Sequence, residues 1–165
     1  MTPYDDVFRA MAERGVTFVV VGGMAVVLHG HARLTIDLDL VVDLAAEPAL
    51  AAIDVLSGLG LRCRLPVDAR DFADPVVREE WVRDRHLQVL SLYDPADPLR
   101  EVDLFATHPI PFDELLADST VMSIGDVEIR VASVGHIIRM KQQAARPQDL
   151  ADVEALQELY GGAND

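Results

Sequence analysis

The chain has 165 residues, 14 of them basic and 28 acidic, for a formal net charge of −14. Half of the residues are hydrophobic and a quarter are charged, as in folded globular proteins, so one domain over 1–165 is expected and disorder is not. The acidity opposes sequence-independent binding to DNA or any other phosphate backbone, and a lone Cys63 excludes an internal disulfide or a cysteine zinc ribbon.

The first ten residues carry acids where an export signal needs basic and then apolar residues. The longest apolar run, 16–30, is broken by Gly22 and Gly23 and falls short of the roughly 20 residues of a membrane span. A cytoplasmic protein with no membrane partner is expected.

Along the chain, the first helix is predicted over 2–14, where Val7, Phe8 and Met11 share a face and Gly15 follows as a stop. The β-branched run 16–21 reads as a buried strand closed by Gly22-Gly23, with a helix over 24–31 leaving that turn. A second strand over 36–42 puts Ile36, Leu38 and Leu40 on one face and Asp37 and Asp39 on the other. A helix over 47–59, a strand over 61–65, a helix over 75–85 around Trp81 and a strand over 86–92 follow. In 101–105, Val102 and Leu104 alternate with Asp103. A short helix over 111–117 precedes a hairpin of 121–124 with 127–131 around Gly125-Asp126. Ser133 caps a helix to about 145, and Pro147 opens the last helix, to 160. The pattern is a mixed α/β chain, with a sheet core over about 1–132 and a helical pair over about 133–165.

The chemistry concentrates in 19–42. Two aspartates two apart on a strand leave the same face with β-carbons about 6–7 Å apart, where their charges repel. Asp37 and Asp39 therefore read either as acids on a wet sheet face or as joint ligands of a divalent cation. Gly22 and Gly23 permit a tight turn and close approach of the backbone to a phosphate; an ordinary strand-to-helix turn is the alternative. The G-x-G-x-x-G dinucleotide fingerprint is missing. His29 and His31 read as packing or capping groups and Cys63 as an inert strand residue, because magnesium prefers oxygen ligands.

Taken together, Gly22-Gly23, a linker of about a dozen residues and Asp37-x-Asp39 resemble the nucleotidyltransferase superfamily that includes DNA polymerase beta, whose motif is hG[G/S] followed by Dh[D/E]h. The stretches ARLTIDLDL and MKQQAARPQDLADVEAL are similar to the AbiEii-like nucleotidyltransferases of bacterial type IV toxin-antitoxin systems and their short relatives. The resemblance implies an α/β (α+β) nucleotidyltransferase fold, a short mixed sheet flanked by helices with a C-terminal helical pair. It implies a third carboxylate, Asp103 with Glu101 as competitor, and two magnesium ions, or manganese, on Asp37, Asp39 and Asp103. It further implies triphosphate contacts from Gly22, Gly23 and Lys141, the only lysine, with Arg33 and Thr35 touching phosphate or bracing the loop. Asp152, or Asp149 in another register, would face the nucleotide; the alternative makes both acids first-turn helix residues. Met24 stands where the family often has a hydroxyl.

The implied activity is transfer of a nucleoside monophosphate from an NTP to a hydroxyl. RNA, in particular a tRNA 3′ end, is the implied acceptor, with Arg130, Arg139, Lys141 and Arg146 as a local basic strip and a cognate antitoxin as a protein partner. A protein or antibiotic-like small-molecule acceptor, or an inactive nucleotide-binding module of the same fold, competes with that reading.

Overall fold

In the computed structural model, which describes residues 2–161, two central strands carry the architecture. β1 (Phe18–Val21) is buried at every position, as its β-branched run predicts, and pairs antiparallel with β2 (Leu38–Val42). Further out lie β3 (Arg62–Cys63), β4 (Val89–Asp94), β5 (Asp97–Phe105), β6 (Thr120–Ile124) and β7 (Val127–Val131). Among the described residues they form one seven-stranded mixed sheet, ordered β3-β4-β5-β2-β1-β7-β6. β2 pairs with β5 and β1 with β7 in parallel; the other pairs are antiparallel.

The helices are α1 (Asp5–Arg14), α2 (Gly22–Leu28), α3 (Ala46–Gly58), α4 (Pro75–Arg85), α5 (Phe112–Ala117), α6 (Val134–Ala144) and α7 (Pro147–Gly161). Their ends obey local chemistry: Asp74 accepts from the backbone N–H groups of Val76 and Val77 with Pro75 at the first turn of α4, and Ser133 caps α6 through His136 N–H. α6 packs on α7 across a tight link in which Ala145 takes the left-handed conformation. On β2, β4 and β5, Leu38, Leu40, Leu90, Leu92, Val102 and Leu104 are fully buried. Each such side chain contributes about 1.5–3 kcal/mol by leaving water.

The predicted elements all occur, though α2 starts at Gly22 and not 24, β3 shrinks to Arg62–Cys63 and β4 shifts to Val89–Asp94, and three further departures have a visible cause. β2 begins at Leu38, and Ile36 does not join Leu38 and Leu40 on the buried face: it is 46% exposed, because its carbonyl accepts from the Tyr4 hydroxyl and the 29–37 stretch stays a loop. β5 starts at Asp97, earlier than its apolar alternation, since it pairs with β4 through a turn that Asp94 closes by accepting from Ala96 N–H. A 3-10 helix over Ala69–Ala73, anchored by buried Phe72 and capped by Asp68, fills a stretch with no helical periodicity.

Candidate functional site

Strand register assembles the acids. Parallel pairing sets Asp39 beside Asp103 and Leu38 beside Val102, so the alternation that buries the leucines turns the carboxylates to the opposite face. One pleat earlier, Asp37, Glu101 and Asp103 bring carboxylate oxygens within 4.8 Å of one another. Sequence spacing left Asp103 and Glu101 as rivals; the register brings both to the cluster.

Crowding and burial raise their proton affinities. Burial first, then the charges of Asp103 and Asp37, push Asp39 up to about 7, against the opposing pull of Lys141. Burial, then Asp103 and Glu101, push Asp37 up to about 6, opposed by Arg64. Asp103 is also raised, chiefly by burial, although the Ser91 hydroxyl and Asp39 bond to it. Its Oδ1 is buried without a hydrogen-bond partner. An acceptor atom stranded among mutually repelling oxygens is a donor set suited to a hard divalent cation.

The glycine bend lies directly over these acids. Val21 pairs with Asp39, and Gly22 then turns with φ +65°. A β-carbon on Gly22 would lie 1.9 Å from Asp39 Oδ2, so glycine is required by both conformation and space. One on Gly23 would lie 2.6 Å from both Arg33 Nη2 and Thr35 Oγ1, which places the loop before Asp37 against the bend.

The C-terminal helices close the other side. Lys141 Nζ lies 2.7 Å from Asp152 Oδ2 and 3.3 Å from Asp149 Oδ1, and all three residues are buried. Asp152 also pairs with Arg33, Nε to Oδ1 at 2.9 Å, and accepts from Gln148 Nε2. Asp149 accepts from the backbone N–H and side chain of Arg146; burial pulls its pKa upward, but those bonds and Lys141 outweigh it and hold the carboxyl below its usual range. Both acids therefore meet Lys141, Asp152 as an ion-pair node and Asp149 also as a first-turn cap.

A cavity of about 510 Å³ unites Gly22, Gly23, Asp37, Asp39, Asp103 and Lys141, with Arg33 and Thr35 on its wall. Of the expected basic strip, Arg139 pairs with Glu114 and both Lys141 and Arg146 with Asp149, while Arg130 donates to the Ser119 hydroxyl. Glu114 and Asp149 reach Arg139 and Lys141 from other helices, whereas Arg146 and Asp149 are three residues apart in the chain. His29 bonds to the Ala132 carbonyl, a packing role as read from the sequence.

Sequence reasoning missed Tyr4, Arg64 and Ser91. The Tyr4 hydroxyl ties the Ile36 carbonyl before β2 to the Glu101 backbone on β5, and Arg64 pairs with the Glu101 carboxylate while stacking on Tyr93. No local pattern marks them, because their partners come from other strands.

Among the described residues, no helix is long and apolar enough to cross a membrane. A search of curated proteins finds no match. Solved structures share the fold. The antibiotic-resistance factor ANT(2'')-Ia matches with a TM-score of 0.61 at 14% identity, over 96% of this chain and 82% of its own. The lincosamide antibiotic adenylyltransferase LnuA, solved with lincomycin, matches with 0.61 at 15% identity, over 92% of each chain. An antigenic nucleotidyltransferase-like protein from Paracoccidioides brasiliensis matches with 0.56 at 16% identity, over 93% of this chain and 72% of its own. The family profile described as "Nucleotidyl transferase AbiEii toxin, Type IV TA system" matches residues 7–165. Since that match spans nearly the whole sequence and the sheet carries its carboxylates accordingly, the chain belongs to the AbiEii nucleotidyl transferase family.

Proposed function

We propose that the protein is a divalent-metal-dependent enzyme that moves a nucleoside monophosphate from an NTP to a hydroxyl acceptor. The observation that carries this reading is the convergence of Asp37, Asp39, Glu101 and Asp103 beneath the Gly22 bend, with Asp103 Oδ1 unpartnered. Asp37, Asp39 and Asp103, with Glu101 alongside, would hold magnesium or manganese. The chemistry such ions supply is neutralisation of the acids and triphosphate and stabilisation of the attacking and leaving oxygens.

The chain's own groups do the rest. Gly22 and Gly23 wall the cavity beside Asp39 and offer their backbone to phosphate, and Lys141, aimed by Asp149 and Asp152, meets the triphosphate as a point cation. Arg33 and Thr35 brace the loop over Gly23. Asp103, whose Oδ1 has no hydrogen-bond partner, accepts the acceptor hydroxyl's proton. The acceptor oxygen bonds to the α-phosphorus as the bond from that phosphorus to the bridging oxygen breaks, and pyrophosphate leaves with the electron pair.

The single domain acts in the cytoplasm. The acceptor is either RNA, which the family description as a toxin favours together with a cognate antitoxin as partner, or a small hydroxyl-bearing molecule. A binding module without turnover is favoured by Met24, which is buried and puts no hydroxyl at the bend. Incubation with magnesium, each α-labelled NTP and fractionated lysate tests the proposal: label transfer should fall on the order of 10²- to 10⁴-fold in Asp103→Asn, and vanish with chelator. Nucleotide binding without transfer would identify the module.

A further inference from the structure

A second cavity, of about 420 Å³, adjoins the first, and Gly22, Asp39, Asp103 and Lys141 border both. The two cavities differ in chemistry. The first is walled by the glycine bend, the loop with Arg33 and Thr35, and Asp37. Arg146 and Asp149 also border both, and beyond these shared residues the second is apolar except for Gln88. Val89 and Phe105 are paired across β4 and β5, and Phe105 shares a strand face with Asp103 because they are two residues apart. Above them Ile137, Met140 and Ala144 line up at helical spacing on α6. Asp39 and Asp103 thus stand between a polar space and an apolar one, whose volume lies within the roughly 300–1,000 Å³ of small-molecule sites.

We propose that this second cavity is the acceptor subsite and that its occupant is a compact, uncharged or singly cationic molecule carrying a hydroxyl on an apolar ring or alkyl body. The inference rests on the transfer reading above and adds the class of acceptor. Charge selects against RNA. Asp39, Asp103 and Asp149 border the cavity, while its cations, Lys141 and Arg146, are both already paired with Asp149. A single-stranded RNA end needs a free basic track and aromatic platforms for its bases. This cavity has Phe105 as its one aromatic side chain and, with Lys141 given to the triphosphate, Arg146 as its one remaining cation against three carboxylates.

Two measurements on the whole protein test it. In ligand-observed NMR, benzyl alcohol should receive saturation from the wild type, glycerol should not, and Ala144→Trp should abolish the benzyl alcohol signal. Ala144 is solvent-exposed at the cavity wall, so the substitution fills the space without cutting into the core; Met140→Ala, which widens the cavity, serves as the second variant and should retain the signal. In the lysate assay, label should appear in the low-molecular-weight, nuclease-resistant fraction and fall about tenfold or more in Ala144→Trp, the scale of a misfit in an apolar pocket. Label confined to RNA, or equal behaviour of the two alcohols, overturns the acceptor class. Label absent from every fraction together with no NTP binding sinks the transfer reading instead, and the alcohol experiment then decides the cavity alone.

Discussion

Gly22 does two incompatible-looking things at once, turning the backbone at φ +65° and leaving its β-carbon position to the Asp39 carboxylate. Gly22→Ala must either displace that carboxylate or unwind the bend. The expected outcome is a loss of about 1–3 kcal/mol in urea denaturation, from forcing a side chain into the left-handed region. Displacing the acid should also lower label transfer on the order of 100-fold. Gly30, at φ +108° with open space around it, is the control: Gly30→Ala carries backbone strain alone and should keep its transfer activity. Wild-type transfer by Gly22→Ala would show that the bend has no part in the chemistry.

The junction of α6 and α7 is more than a packing contact. Asp152, fully buried on α7, joins Lys141 of α6 and Arg33 of the loop before β2, so one carboxylate links three segments. Removing it leaves Arg33 without its carboxylate and Lys141 with Asp149 alone. Asp152→Ala should cost about 3–5 kcal/mol, as when one partner of a buried pair is deleted, and weaken NTP binding through the released loop, read by denaturation and nucleotide titration. Asp152→Asn, which keeps the shape and the acceptor oxygen, should lose less. Equal losses in the two variants would mean that packing, not charge, sets the junction.

Across the fold the acid cluster sets a balance between stability and activity. Asp37 and Asp39 are raised from about 4 to about 6 and about 7, so folding favours their protonated forms. Their stabilising contribution is present below the unfolded carboxylate range and is lost as pH rises through the folded values. The metal-free protein should therefore melt lower at pH 8 than at pH 5, and magnesium should restore stability at pH 8 far more than at pH 5. Asp39→Asn should remove about 2–4 kcal/mol of this repulsion and raise the Tm in chelator at pH 8 by about 5 °C or more. Melting curves of the two proteins across pH check this, and parallel profiles would refute it.

Whatever is local was legible in the chain. The buried β1 run, the glycine pair after it, the alternation around Asp37 and Asp39, and the cap at Ser133 each depend on neighbours a few residues away. That is why the bend, the acid pair and the family resemblance could be read directly from spacing. Spacing was silent on Glu101 joining Asp103, on the clamp from Tyr4, on the pairing of Arg139 with Glu114 and on the apolar second cavity. These depend on which rung of β5 meets which rung of β2, and on which helix lands across the sheet. Alternation tells which side of a strand a residue faces, but the partner opposite is chosen by burial of distant surfaces, a free energy summed over the whole fold.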